Sequence, residues 1–210
     1  MTGSMNKIEK YLDSLYPNPK CELNYSKDYE LLLATMLSAQ TTDKRVNQVT
    51  EILFKKYPNL KSLSNARLKD VEQIIRPIGT FRKKSKNLIE IAQKLEKDYG
   101  GILPNSRNYL ETLPGVGRKT TNVVLSNIYN VPCIAVDTHV ARVSKRLKLA
   151  KQEDNTKEIE KKLTRKFKKA QLCKRHHQLV LFGRYQCTAR NPKCTSCELK
   201  DICSYKKNQN

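Results

Sequence analysis

Leu113-Pro114-Gly115-Val116-Gly117-Arg118-Lys119-Thr120 reads as a tight turn that hands one helix on to the next. Upstream, Asn105-Ser106 supplies cap residues for a helix running through Glu111. Downstream, Thr120 to Tyr129 stays apolar at Val123, Val124 and Ile128, which is helical spacing. Gly115 and Gly117 carry no Cβ. That permits positive φ and lets backbone N–H groups approach an anion, with the positive end of the second helix pointing the same way. Most P-G-x-G turns only connect helices, so phosphate binding and plain connection are both open at this point.

Helical spacing continues on both sides of the turn. Leu68, Val71 and Ile75, then Leu88, Ile91, Ala92 and Leu95, then Ile159, Leu163 and Phe167 recur at helical intervals. Tyr29 to Met36 is apolar on most faces and is predicted to run through the centre of a domain, whereas Val46, Val49, Ile52 and Leu53 predict a one-sided helix after Asp43. Gly79 and Gly100-Gly101 are predicted helix ends. No alternating run is long enough for a strand and no period repeats, so the expected fold is all-α, with about ten helices of ordinary length.

Of the 210 residues, 41 are Lys or Arg and 20 Asp or Glu, a net charge of +21. The excess is uneven, because residues 141–185 hold 15 basic and 4 acidic side chains. A large anion is therefore the expected partner, nucleic acid ahead of an acidic membrane face. No apolar run reaches the roughly 18 residues a membrane span needs, and residues 1–15 lack an apolar signal region, which predicts an intracellular chain with no membrane partner. Residues 1–4 precede a second methionine, Met5, and read as a non-native leader.

Four of the seven cysteines, Cys187, Cys194, Cys197 and Cys203, stand in a C-x6-C-x2-C-x5-C spacing. Disulfides do not suit an intracellular chain, so metal ligation is expected. Zinc usually takes two short C-x2-4-C pairs and only Cys194 and Cys197 form one, while an iron-sulfur cluster accepts wider spacing because its irons lie at separate corners; both remain open on spacing alone. Cys21, Cys133 and Cys173 are expected to be small buried side chains. Arg190 and Lys193, flanking Asn191-Pro192 between the ligands, would point cations at phosphate. Lys119 falls in the first turn of a helix beside Arg118, a setting that favours an amine acting as a nucleophile. Asp137 ends the apolar run Ile134-Ala135-Val136 ahead of Thr138-His139, where it serves either as a semi-buried catalytic acid or as a helix cap.

These three motifs, L-P-G-V-G-R-K at 113–119, V-D-T-H at 136–139 and the cysteine spacing at 187–203, together resemble endonuclease III, the helix-hairpin-helix DNA glycosylase and abasic-site lyase family of base excision repair. The resemblance spans residues 6–206 and implies a 4Fe-4S cluster on the four cysteines. It further implies two all-α domains with DNA between them: a six-helix barrel over 22–132 that contains the hairpin, and a cluster domain built from 1–21 and 133–210. Lys119 matches the family's nucleophile, Asp137 its essential carboxylate, and Gln40 the residue that fills the gap left by a flipped base. Gly115, Gly117, Arg118, His139, Arg190 and Lys193 would contact DNA. The implied reaction removes oxidised pyrimidines from duplex DNA through a lysine Schiff base and cuts the strand by β-elimination. The expected agent is a cytoplasmic monomer, associated with the nucleoid if bacterial. Thr80 departs from the pattern, since the family commonly has a larger apolar residue there. A monofunctional adenine glycosylase shares the cysteine spacing but lacks a lysine at the hairpin. A non-catalytic DNA-binding module or an iron-sulfur redox carrier are the rivals from other classes.

Overall fold

Eleven α-helices and one short 3-10 helix make up the described residues, 3–205, of the computed structural model, with no strand among them. In chain order they are α1 (Gly3–Leu15), α2 (Asp28–Leu37), α3 (Asp43–Lys56), α4 (Leu60–Ser64), α5 (Leu68–Ile75), α6 (Phe81–Tyr99), α7 (Arg107–Leu110), α8 (Arg118–Ile128), α9 (Thr138–Arg146), α10 (Thr156–Lys166) and α11 (Leu172–Tyr185), with the 3-10 turn Lys169–Gln171 leading into the last. The chain divides into two compact units, 21–129 and the combination of 1–20 with 130–210.

Within 21–129, α2 is the central element. Leu31, Leu32, Leu33 and Leu37 are fully buried on successive faces, as the apolar sequence requires, with α3, α6 and α8 packed around it. Its N-terminus is sealed by the buried Glu30, whose carboxylate accepts from Ser26 N–H at 2.7 Å, Ser26 Oγ at 2.9 Å and Lys27 N–H at 3.1 Å. The long helix α6 buries Leu88, Ile91, Ala92 and Leu95 and stops at Gly100, where a left-handed φ of +58° lets its N–H return to the Glu96 carbonyl. Ile52 differs from expectation: it is 57% exposed, because α3 turns only Val46, Val49, Thr50 and Leu53 inward. Gly79 is not a helix end either. α5 ends at Ile75, and the left-handed residue in that connection is Thr80, φ +56°.

The other unit is closed by its own chain ends. Ile8 and Leu12 of α1 pack with Val140, Val143, Leu163, Leu179, Phe182 and Leu199. α1, described from Gly3, also buries Met5 and Tyr11 on this face. Arg175, 1% exposed, donates to both oxygens of Asp13 at 2.8 and 3.1 Å and to Gln178 Oε1 at 2.8 Å, while Gln178 returns bonds to the Leu12 and Tyr16 carbonyls. A buried guanidinium survives because a bidentate carboxylate and neutral acceptors occupy its two Nη groups, although Nε has no partner among the described residues. Partial burial pushes the Asp13 carboxyl up, but hydrogen bonds from Arg175, Lys174 and Gln178 outweigh it and hold the group well below the usual carboxylate range.

Candidate functional site

The predicted turn lies between α7 and α8. α7 is shorter than expected, ending at Leu110, with Ser106 as the cap that accepts from Tyr109 N–H at 3.3 Å. The Val116 N–H closes the turn on the Leu113 carbonyl at 3.1 Å. Gly115 has φ +76°, and a Cβ there would stand 2.6 Å from Asn87 Nδ2. Gly117 does not use the freedom that glycine permits: its backbone is extended, φ −105° and ψ −177°, and a Cβ would meet nothing within 4 Å. It serves as the exposed N-cap of α8. Arg118 is exposed in that first turn, and Lys119 beside it is half-buried. Among the described residues no carboxylate pairs with the Lys119 amine and no acceptor takes its hydrogens.

In the same unit, Gln40 is exposed and left-handed, φ +58°. The turn that carries it hangs from a buried side chain not singled out from the sequence, Lys84, whose Nζ donates to the carbonyls of Leu37 at 2.9 Å and Ala39 at 2.7 Å.

The remaining predicted residues belong to the unit formed by 1–20 and 130–210. Asp137 is the N-cap of α9 and accepts from Val140 N–H at 2.8 Å through Oδ1. It is half-buried, and Oδ2 accepts no hydrogen bond from the described residues. The sequence left two roles open for Asp137; capping engages one oxygen and leaves the other available. His139, one turn on, faces Arg142 Nη2 at 3.2 Å through Nδ1. Arg142 in turn donates to the Gly183 carbonyl at 2.7 Å and the Cys187 carbonyl at 3.1 Å.

Cys187, Cys194, Cys197 and Cys203 are all free thiols lining one cavity of about 470 Å³ with Leu147, Phe182 and Tyr205. Among the described residues no three His, Cys, Asp or Glu side chains converge on a point that would hold a single metal ion. A zinc ion needs its four thiolates about 2.3 Å from one centre. A 4Fe-4S cluster takes one thiolate at each of four separate irons and occupies the space between them, and the cavity lined by all four cysteines leaves room for one. Burial pushes the Cys197 and Cys203 thiols up, and the neighbouring cysteines add to it. Four thiolates so close repel one another unless a cationic centre holds them.

Arg146, 8% exposed, binds the start of this segment. Its guanidinium donates to Cys187 Sγ at 3.3 Å and to the Thr188 carbonyl at 2.8 Å, and lies 3.7 Å from the Tyr205 ring centroid. Gln186 exchanges bonds with the Lys193 backbone at 3.0 and 3.1 Å, leaving Arg190 and Lys193 exposed on a braced loop.

Two family models match the chain. Residues 33–169 match the HhH-GPD superfamily base excision DNA repair protein, and residues 187–203 the iron-sulfur binding domain of endonuclease III. With the all-helical fold, the hairpin and the thiol-lined cavity, these define the class as a base excision repair protein with a helix-hairpin-helix and an iron-sulfur segment. Endonuclease III of Bacillus subtilis (strain 168) is 45% identical over 203 residues, covering 95% of this chain and 93% of its own length. That of Escherichia coli (strain K12) is 41% identical over 190 residues, 90% of each. A solved structure of a trapped covalent intermediate of endonuclease III with DNA superposes with a TM-score of 0.91 at 42% identity, over 97% of both chains. The chain belongs to the endonuclease III family. It is a DNA glycosylase and abasic-site lyase, and its prosthetic group is a 4Fe-4S cluster. Among the described residues no helix is long and apolar enough to cross a membrane.

Proposed function

We infer that the chain excises oxidised pyrimidines from duplex DNA and cuts the strand at the abasic site that results, with Lys119 as nucleophile and Asp137 as the essential carboxylate. The observation that carries this reading is the Lys119 amine, half-buried in the first turn of α8 behind the hairpin and neutralised by no carboxylate among the described residues. A nucleophilic lysine needs that freedom, because an ion pair would fix its proton.

The base is first turned out of the stack. The neutral amine adds to C1′ of the sugar as the glycosidic bond breaks; its electron pair leaves with the base, which takes up a proton. Positive charge that develops at C1′ is stabilised by the Asp137 carboxylate. Opening of the sugar ring gives an imine to Lys119, removal of a C2′ proton expels the 3′ phosphate, and water then releases the lysine. Gln40 fills the gap in the helix. The backbone of Gly115 and Gly117 with Arg118 holds phosphate at the start of α8, and His139, Arg190 and Lys193 add contacts. The four cysteines hold the cluster, which when bound cross-links residues 187–203 and keeps the loop cations in place. The unit 21–129 is the barrel domain and 1–20 with 130–210 the cluster domain of a monomer working in the cytoplasm, with duplex DNA containing oxidised pyrimidines or abasic sites as its partner.

Borohydride trapping on a duplex with one oxidised pyrimidine tests the reading. Wild type forms a covalent complex and Lys119→Ala does not. A wild type that binds but never traps, on this duplex or on an abasic one, removes Lys119 as the nucleophile and leaves a monofunctional glycosylase or a pure binder.

A further inference from the structure

Lys84 is 6% exposed on α6, with no carboxylate partner among the described residues. Burial pulls its amine below the ordinary lysine value. The cost of burying an ammonium is offset by where it lands: its Nζ donates to the Leu37 carbonyl at 2.9 Å and the Ala39 carbonyl at 2.7 Å. The Leu37 carbonyl ends α2 and the Ala39 carbonyl lies two residues on, both at the negative end of the helix dipole, where the final carbonyls have no helical N–H to accept from. The next residue is Gln40, held at a left-handed φ of +58° that a non-glycine residue adopts only when its surroundings impose it. The Lys84 N–H meanwhile donates at 3.1 Å to the carbonyl of Thr80, another non-glycine residue of this unit held left-handed.

We propose that Lys84 is a positioning residue for base flipping, its ammonium locking the Leu37–Gln40 turn so that Gln40 meets the duplex already in its inserting conformation. The proposal rests on the reading of Gln40 as the residue that fills the gap. Ordering the turn before DNA arrives removes that cost from the flipping step. Methionine of similar length would leave the Leu37 carbonyl unpaired and the Ala39 carbonyl with only the Thr41 hydroxyl at 3.5 Å, and the turn would relax.

The test measures single-turnover excision on a duplex carrying one oxidised pyrimidine, with amide hydrogen exchange at residues 39–41 followed in the free protein. Lys84→Met speeds that exchange and slows excision about tenfold, the order of loss that a misplaced group causes. Lys84→Arg, which keeps a charged donor, restores most of both. In a Gln40→Ala background Lys84→Met adds less than about twofold, because the two residues act through one step. Unchanged exchange, or equal slowing with and without Gln40, overturns the proposal. Should Gln40→Ala alone leave excision at the wild-type rate, the gap-filling reading fails by itself, and exchange at 39–41 decides the anchor separately. Melting curves accompany each variant, and Lys84→Gln, with a neutral donor, stands in if the methionine variant does not fold.

Discussion

The two hairpin glycines are predicted to respond in opposite ways to the same substitution. Gly115 sits at φ +76°, where an alanine pays about 1–2 kcal/mol for its Cβ. That Cβ would also stand 2.6 Å from Asn87 Nδ2 and 3.3 Å from Met36 Cγ. The amide is the end of a side chain and can turn aside, but Met36 is 3% exposed and packed, so a further cost near the low end of overpacking, about 1 kcal/mol, follows. Gly115→Ala should therefore lose about 2–3 kcal/mol, a melting temperature lower by about 4–12 °C in a protein of this size. Gly117→Ala meets neither obstacle, since its backbone is extended and nothing lies within 4 Å. The reduced freedom of the unfolded chain and the lost N-cap preference roughly cancel, leaving about 0.5 kcal/mol either way. Its effect belongs on DNA, because the new methyl occupies the open space before the first N–H groups of α8. Differential scanning calorimetry and abasic-duplex titration on both variants separate the two. Equal melting shifts, or a Gly117→Ala protein that binds DNA like wild type, would refute the argument.

Asp137→Asn and Asp137→Ala should also diverge in stability though both lose excision by orders of magnitude: asparagine caps α9 about as well as aspartate, whereas alanine costs about 1 kcal/mol more. Denaturation that distinguishes them while activity does not is the expected pattern, and an active Asp137→Asn removes the carboxylate from the mechanism. Cys197→Ala should lose iron, sulfide and visible absorbance and speed amide exchange in 187–205; a colourless wild type containing zinc contradicts the cluster. Acid should weaken the joint between α1 and α11. The Asp13 carboxyl is depressed in the folded state, so its contribution is complete above the unfolded carboxylate value near 4 and drains away as pH falls toward the folded one. Asp13→Asn should flatten that acid limb of the stability curve, and an unaltered limb would assign it elsewhere.

What was legible in the sequence is what is local in sequence. The hairpin, the V-D-T-H cap and the cysteine spacing each fall within 17 residues or fewer, and the helical stripes of α2, α6 and α10 repeat within single elements. Lys84 and Arg146 were missed because their partners lie 47 and 41 residues away. A signal was present for Lys84: it sits four residues before Leu88 and seven before Ile91, in phase with the buried stripe, while its neighbours Lys83 and Lys86 are out of phase and exposed. Arg175 shares that property, three residues after Leu172 and four before Leu179. A charged residue in phase with a core stripe is a prompt to look for distant carbonyls or carboxylates. Gly117 was open for a different reason, since glycine is used at an N-cap as well as at positive φ and composition does not tell the two apart.

The division into 21–129 and a unit made from both ends of the chain also orders how the protein is made. α1 leaves the ribosome first, yet its buried face and the Tyr11 hydroxyl, which donates to the Ser196 carbonyl at 3.2 Å, wait for partners from residue 134 onward. The continuous unit can fold meanwhile, as an uninterrupted segment does during synthesis. Iron then arrives at a half that has only just acquired all its pieces, so cluster loading and closure of α1 become one late event. A cell short of iron would accumulate chains whose hairpin half is finished and whose first helix is still loose, a ready handle for a protease.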